Sequence, residues 1–204
     1  VWVGGAAGDG IASVGESLAK KGYVTIIADY RLYPEVKFPA FVEDSALAVA
    51  WVHHHARDYG GDPKNLYVAG HSAGAYNAVM LAMDPQYLKA AGGSPRWIRG
   101  AIGLSGPYDF LPVKDETITA IFASAKASAT QPALLKYNHR QVPALFLATG
   151  EADTLVVPKN TESLANHLKK SRTSVETHYY PGINHPTVAQ ALASPFTEIG
   201  RAHV

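Results

Sequence analysis

The stretch Leu66-Tyr67-Val68-Ala69-Gly70-His71-Ser72-Ala73-Gly74 decides the fold that we predict for this chain. Its first four residues form an apolar run that is typical of a buried strand, and residues 73–83 fit a helix. A serine between a strand and a helix, with a glycine two positions away on each side, matches the pattern of a nucleophilic serine on a tight turn. Bulky side chains would clash at such a turn, so Gly70 and Gly74 allow close packing. The helix N-terminus also favours negative charge near Ser72.

Further strands and helices alternate along the chain on both sides of this motif. An apolar, β-branched run predicts a strand at 24–28, and three more strands are predicted at 98–104, 144–149 and 175–180. Amphipathic spacing predicts helices at about 38–59 and 158–170. Strands separated by helices need crossover connections, so we predict the α/β class, with a mainly parallel, doubly covered sheet. The segment 108–140 breaks the pattern, and we expect it to be a short helical cap inserted in one domain spanning 1–204.

Composition and charge exclude several classes of protein. The 204 residues carry 18 Lys+Arg against 17 Asp+Glu, a net charge of +1, so no nucleic-acid or anionic-membrane partner is expected. No apolar run is long enough to span a membrane, and the absence of Cys excludes disulfides and thiolate metal sites. The tract His53-His54-His55 lies on a predicted helix, where consecutive side chains diverge, so we expect a surface helix there. No phosphate loop or metal-ligand spacing is present, and we expect no cofactor and no metal.

A nucleophilic serine needs a base, and the base needs an acid that orients it. In an open α/β sheet both are expected in loops at the carboxyl ends of later strands. Asp153 follows one predicted strand and His185 follows the next, which gives the chain order Ser72, Asp153, His185. Glu151 and Asp109 are alternative acids, although Asp109 is expected to cap a turn.

With these residues, the chain resembles the α/β-hydrolase esterases of the hormone-sensitive-lipase-like and feruloyl-esterase-like groups. The chain order of the three residues is the order found in that fold. Four stretches carry the resemblance. The first is Asp29-Tyr30-Arg31-Leu32-Tyr33-Pro34-Glu35 with Phe38-Pro39-Ala40 and Glu43-Asp44, and the others are Gly60 to Pro63, Gly70 to Ala75, and Gly150 to Val156 with Pro181 to His185. The resemblance implies that Ser72 is the nucleophile, Asp153 the acid and His185 the base, and that the Ala73 N–H is one oxyanion donor.

The start of the chain departs from the family pattern, in which glycine N–H groups before a Trp complete the oxyanion hole. Trp2 can match that Trp, in which case the oxyanion glycines lie upstream of Val1, or Gly4 and Gly5 are themselves those glycines. The spacing favours the first interpretation. We therefore expect a fragment of a longer protein, in which the family strand between the strands at 24–28 and 66–69 is missing.

The resemblance implies a serine hydrolase that cleaves small to medium carboxylic esters through an acyl-enzyme. We expect the substrate to contact Trp2, His71, Tyr108, Phe110 and Phe122. Two other functions stay open. One is an arylformamidase-type amide hydrolase, and the other is a non-catalytic α/β-hydrolase that binds a small molecule. The expected partner is a small-molecule ester, and the expected location is cytoplasmic.

Overall fold

The computed structural model describes residues 1–3, 9–112, 114–123 and 125–193. The side chains of residues 2–3, 9–11 and 191–193 lie outside this description. In chain order the elements are β1 (Trp2–Val3), α1 (Asp9–Lys20), β2 (Ile27–Ala28), α2 (Ala40–His55), β3 (Leu66–His71), α3 (Ala73–Met83), α4 (Pro85–Ala90), β4 (Ile98–Leu104), α5 (Glu116–Phe122), α6 (Ala127–Thr130), β5 (Ala144–Gly150), α7 (Lys159–Lys170), β6 (Val175–Tyr180) and α8 (His185–Ala193).

The six strands form one sheet in the order β2-β1-β3-β4-β5-β6, and every neighbouring pair is parallel. This confirms the predicted sheet. The carboxyl ends of β3, β5 and β6 therefore lie at one edge, where the segments that follow them can meet.

Apolar cores lie on both faces of the sheet. The larger core packs the sheet against α2, α3, α4 and α7, and it includes the fully buried Val68 of β3. The smaller core contains the next strand residue, Ala69, with Val14 of α1 and Val188 of α8. Neighbouring residues of one strand thus serve opposite cores, as the alternation of side chains in a strand requires. The sheet is doubly covered, as predicted.

The N-terminal residues correct one expectation. Trp2–Val3 form β1, which lies in the sheet between β2 and β3. Trp2 pairs with Ile27 on one side and Ala69 on the other, and the carbonyl of Val1 accepts a hydrogen bond from the Ala69 N–H at 2.8 Å. The prediction of an empty position in the sheet is therefore wrong.

Other differences from the sequence prediction concern element length. The strand expected at 24–28 pairs only over Ile27–Ala28, and helices α1, α4 and α8 were not predicted. The segment 108–140 contains the short helices α5 and α6. It is tied to the rest of the fold by a hydrogen bond of 2.7 Å from the Tyr76 hydroxyl to the carbonyl of Thr130.

Candidate active site

Ser72 lies on the tight turn that joins β3 to α3. Its backbone is in the left-handed region, at φ 55° and ψ −123°, which L side chains rarely adopt. Its N–H donates to the carbonyl of Leu104 at 2.9 Å, which ties the turn to the end of β4. A Cβ at Gly70 would overlap the backbone of Gly74, so the glycine is needed where the strand passes the first turn of the helix.

His185 is the first residue of α8 and bridges the other two residues of the predicted triad. Its Nε2 lies 2.9 Å from the Oγ of Ser72, and its Nδ1 lies 2.8 Å from Oδ2 of Asp153. A carboxylate only accepts hydrogen bonds, so Nδ1 carries the proton in this contact. The Nε2 of a neutral His185 is then free to accept the hydroxyl proton of Ser72. The structure therefore brings the three side chains together in one hydrogen-bonded chain.

Asp153 is held as a carboxylate by hydrogen bonds from both backbone and side-chain donors. Its side chain is fully buried, and its Oδ1 accepts from the N–H groups of Leu155 at 3.0 Å and Val156 at 2.8 Å. Burial alone would raise the pKa of Asp153, but hydrogen bonds from Val156, His185 and Ser105 outweigh it and lower that pKa below its usual range. Asp153 is thus ionised at neutral pH, facing the imidazole of His185.

Ser105 is a residue of this site that the sequence reasoning missed. It follows β4, its side chain is fully buried, and its backbone has φ 46°, again in the left-handed region. Its hydroxyl oxygen lies 3.4 Å from that of Thr149 and also contributes to the low pKa of Asp153. The available signal was its position after a strand that neighbours β3, where a polar residue faces the site edge.

His71 contacts the site in a different way from the one expected. Its Nε2 lies 2.8 Å from the backbone carbonyl of His185, and the centres of the two imidazole rings are 4.6 Å apart. Burial lowers the pKa of His71, which keeps the ring neutral at pH 7. Its hydrogen-bonding nitrogen is therefore directed at the backbone of the predicted base.

Tyr108 does not line a binding pocket, contrary to the prediction. Its ring is fully buried in the larger core, packed so closely on Gly103 and Gly106 that a Cβ at either position would overlap it. Phe110 and Phe122 are only partly buried, with ring centres 5.0 Å apart. They belong to an aromatic cluster on one side of α3, whose other members are Phe38, Phe41 and Tyr76.

The other predicted site residues at the start of the chain are only partly described. Trp2 lies in β1, but its side chain is outside the described residues, and so are Gly4 and Gly5. Val3, the residue before Gly4, pairs with Gly70, two positions before Ser72. Gly4 and Gly5 thus follow directly, in sequence, a strand that ends beside the serine turn.

The alternative candidates do not enter the triad. Glu151 is exposed, and the described contact of Asp109 is made by its backbone N–H, which donates to the side chain of Asn160 at 2.9 Å. The ring of His53 stacks on Trp97 at 3.7 Å. Within the described ranges, no group of three or more acidic or His side chains is arranged to hold a metal ion. None of the described helices is long and apolar enough to cross a membrane.

Two surface cavities lie away from the triad. One of about 610 Å³ lies at the amino ends of β4 and β5, the opposite edge of the sheet, and its lining includes Arg96, Arg99 and Arg140. The other, of about 380 Å³, lies between α7 and the segment before β5. Neither cavity is lined by Ser72 or His185.

Comparison with known proteins shows the family of this chain. The model of the BD-FAE family matches residues 2–168. Esterase LipC of Mycobacterium tuberculosis is 32% identical over 201 residues, covering 90% of this chain and 50% of that protein. A probable isoprenylcysteine alpha-carbonyl methylesterase of Oryza sativa subsp. japonica is 26% identical over 208 residues, covering 90% and 48%. The chain therefore spans about half the length of the curated relatives it matches.

Solved structures agree on the fold. An esterase of Pyrobaculum calidifontis superposes with a TM-score of 0.75 at 24% identity, covering 98% of this chain and 71% of that one. Esterase LipW of Mycobacterium marinum gives a TM-score of 0.76 at 22% identity, covering 98% and 68%. At this identity the likeness shows the fold alone. With the family match over most of its length, the chain belongs to the BD-FAE family and has the α/β-hydrolase fold.

Proposed function

We propose that this protein is a serine hydrolase of carboxylic esters that works through an acyl-enzyme on Ser72. The observation that carries the proposal is the chain of two hydrogen bonds, 2.9 Å and 2.8 Å long, from Ser72 through His185 to a buried carboxylate, Asp153. Several of the curated relatives are named esterases, which supports an ester as the substrate. Small to medium esters are the substrate class that we propose.

In the first half of the reaction, His185 takes the hydroxyl proton of Ser72 as Oγ attacks the ester carbonyl. Asp153 stabilises the imidazolium that results and holds the ring in the Nδ1–H form. The tetrahedral intermediate then collapses, and His185 gives its proton to the departing alcohol. In the second half, water takes the place of the alcohol and releases the acid from Ser72.

Negative charge develops on the carbonyl oxygen in both tetrahedral intermediates. We propose that the Ala73 N–H, the first of α3, donates to this oxygen, with the positive end of the helix dipole behind it. We propose that backbone N–H groups of Gly4 and Gly5 supply the second donor. Their place in the sequence, directly after the strand that pairs with Gly70, supports this assignment.

A comparison of Ser72→Ala with Ser174→Ala tests the proposal. Ser174 is exposed next to the amino end of β6, so its variant is a matched control for the change in chemistry. Hydrolysis of p-nitrophenyl esters of increasing chain length should be lost in Ser72→Ala and kept in the control. In another serine hydrolase, removal of the nucleophile lowers turnover by about 10⁶. Equal activity in both variants would contradict the proposal.

Two other outcomes of the same panel of substrates would favour a different function. Faster cleavage of an aryl formamide than of any ester would favour an amide hydrolase. Binding without turnover of every compound would favour a small-molecule binding protein. The cytoplasmic location stays a prediction, which fractionation of the native cells would check.

A further inference from the structure

The loop that carries His185 is held from the β5 side by described contacts. The Ala152 N–H donates to the carbonyl of Ile183 at 3.0 Å, and a Cβ at Gly150 would overlap that same carbonyl. Asp153, on the same loop as Ala152, binds Nδ1 of the His185 ring. These contacts fix the loop and Nδ1 of the His185 ring, and all of them come from the end of β5 and the loop that follows it.

His71 holds the same residue from a different element, the end of β3. It is the last residue of β3 and immediately precedes Ser72, and its Nε2 lies 2.8 Å from the backbone carbonyl of His185. A carbonyl oxygen only accepts hydrogen bonds, so Nε2 of His71 is the donor and carries a proton. One strand end thus supplies both the candidate nucleophile and a donor to the backbone of the candidate base.

The charge state of His71 suits this contact. The rings of His71 and His185 are 4.6 Å apart, and His185 becomes positively charged when it takes the serine proton. A cation at that distance would oppose this step by Coulomb repulsion. Burial lowers the pKa of His71, so its ring donates the hydrogen bond while it is neutral.

We propose that His71 is a positioning residue, whose Nε2–H fixes the backbone of His185 so that the imidazole Nε2 stays within hydrogen-bonding distance of Ser72. This inference rests on the proposed function of the triad. It replaces the earlier expectation that His71 contacts the substrate. A positioning residue affects the rate of the proton transfer and leaves substrate binding unchanged.

Three substitutions separate this role from others. His71→Gln places an amide N–H at about the same distance from the backbone as Nε2 of histidine. The shorter side chain of His71→Asn cannot bring its amide within hydrogen-bonding distance of the His185 carbonyl. His71→Met has similar length and no donor, and it serves if the Asn variant does not fold. The matched control is His167→Asn, because Nε2 of His167 lies 2.8 Å from the carbonyl of Leu135, the same kind of bond away from the triad.

We expect the Asn and Met variants to lower kcat by about 10- to 100-fold with little change in KM, because displacement of a catalytic group by about 1 Å has effects of that size. The Gln variant should recover most of this rate, and the control should keep kcat even where it lowers the melting temperature. Equal kcat in wild type and in a folded Asn or Met variant would overturn the inference. An equal loss in the His167 variant would also overturn it.

A second readout does not depend on turnover. The Nδ1 proton of His185, which binds the buried Asp153 carboxylate, should give a far-downfield proton NMR signal. We expect this signal in wild type and in His71→Gln, and its broadening or loss in His71→Asn or His71→Met. An unchanged signal in a folded Asn or Met variant would overturn the inference even if the wild-type protein cleaved no ester. Ser72→Ala in the same series reports separately on the proposed function, since ester hydrolysis that survives it contradicts the triad and not the His71 contact.

Discussion

Replacement of Asp153 by Asn is a sharp test because the structure fixes how the amide must sit. Oδ1 of Asp153 accepts from two backbone N–H groups, those of Leu155 and Val156. An Asn in this place keeps both bonds only if its carbonyl oxygen takes the Oδ1 position. Its NH₂ group then faces Nδ1 of His185, where the carboxylate oxygen was, at the 2.8 Å contact.

Two N–H groups cannot face each other at that distance, so the imidazole must move its proton from Nδ1 to Nε2. The nitrogen next to Ser72, 2.9 Å from Oγ, then carries a proton and cannot accept the one on the hydroxyl. In another serine hydrolase the equivalent change lowers kcat about 10⁴-fold by the wrong tautomer alone. We expect a loss of about 10²- to 10⁴-fold here, which is about 3–5 kcal/mol of transition-state stabilisation.

The assay is kcat/KM for p-nitrophenyl acetate, with thermal unfolding measured on the same samples. Glu151→Gln makes the same chemical change at an exposed carboxylate two residues away, and it should leave activity unchanged. Near-normal activity of Asp153→Asn would show that Asp153 does not orient His185. So would a larger loss from Asp109→Asn, since it would identify another acid as the partner of the histidine.

Three further predictions follow from the same geometry. Gly70→Ala should lower the melting temperature and the activity, because its Cβ meets the rigid backbone of Gly74, and we expect a loss of about 1–3 kcal/mol in the free energy of unfolding. Gly15→Ala is the control and should lose less, because its Cβ meets only the side chains of neighbouring residues. Burial lowers the pKa of His71, so below about pH 6.5 the unfolded chain binds more protons than the folded chain, and the free energy of unfolding falls. His71→Gln should therefore reduce the drop in melting temperature between pH 7.5 and 5.5. An equal drop in the variant and in wild type would contradict this role of His71. Tyr108→Phe should leave ester hydrolysis unchanged and the melting temperature unchanged or higher, because the buried hydroxyl has no hydrogen-bond partner among the described residues. A fall in kcat/KM would instead indicate that Tyr108 contacts the substrate.

The sheet and the triad could be predicted from the sequence because each has a local signal. The predicted bounds of β4 and β6 match the structure to the residue, and most residues of both strands are buried or half-buried. The positions of Asp153 and His185 directly after two such strands then placed them at the edge where Ser72 lies. The convergence of parallel strand ends made their contact predictable without any structure.

Three features had no such signal. The contact of His71 with the carbonyl of His185 joins residues 114 positions apart, and a backbone acceptor leaves no trace in the sequence. The role of β1 was missed because two residues, Trp2–Val3, are too short for any period, and their pairing depends on β2 and β3. Tyr108 was assigned to a pocket from its place in an irregular segment, whereas the small residues Gly103 and Gly106 make room for its ring in the core.

In the proposed mechanism, Ser72 is activated by His185 and forms a covalent intermediate. Reaction of the folded protein with an alkyl fluorophosphonate, followed by intact-mass measurement and peptide mapping, would detect this intermediate-forming serine. We expect a single adduct, located on Ser72, that forms rapidly in wild type, slowly in Asp153→Asn and not at all in Ser72→Ala. An adduct on another residue, or ester hydrolysis by a protein in which Ser72 stays unmodified, would contradict this mechanism.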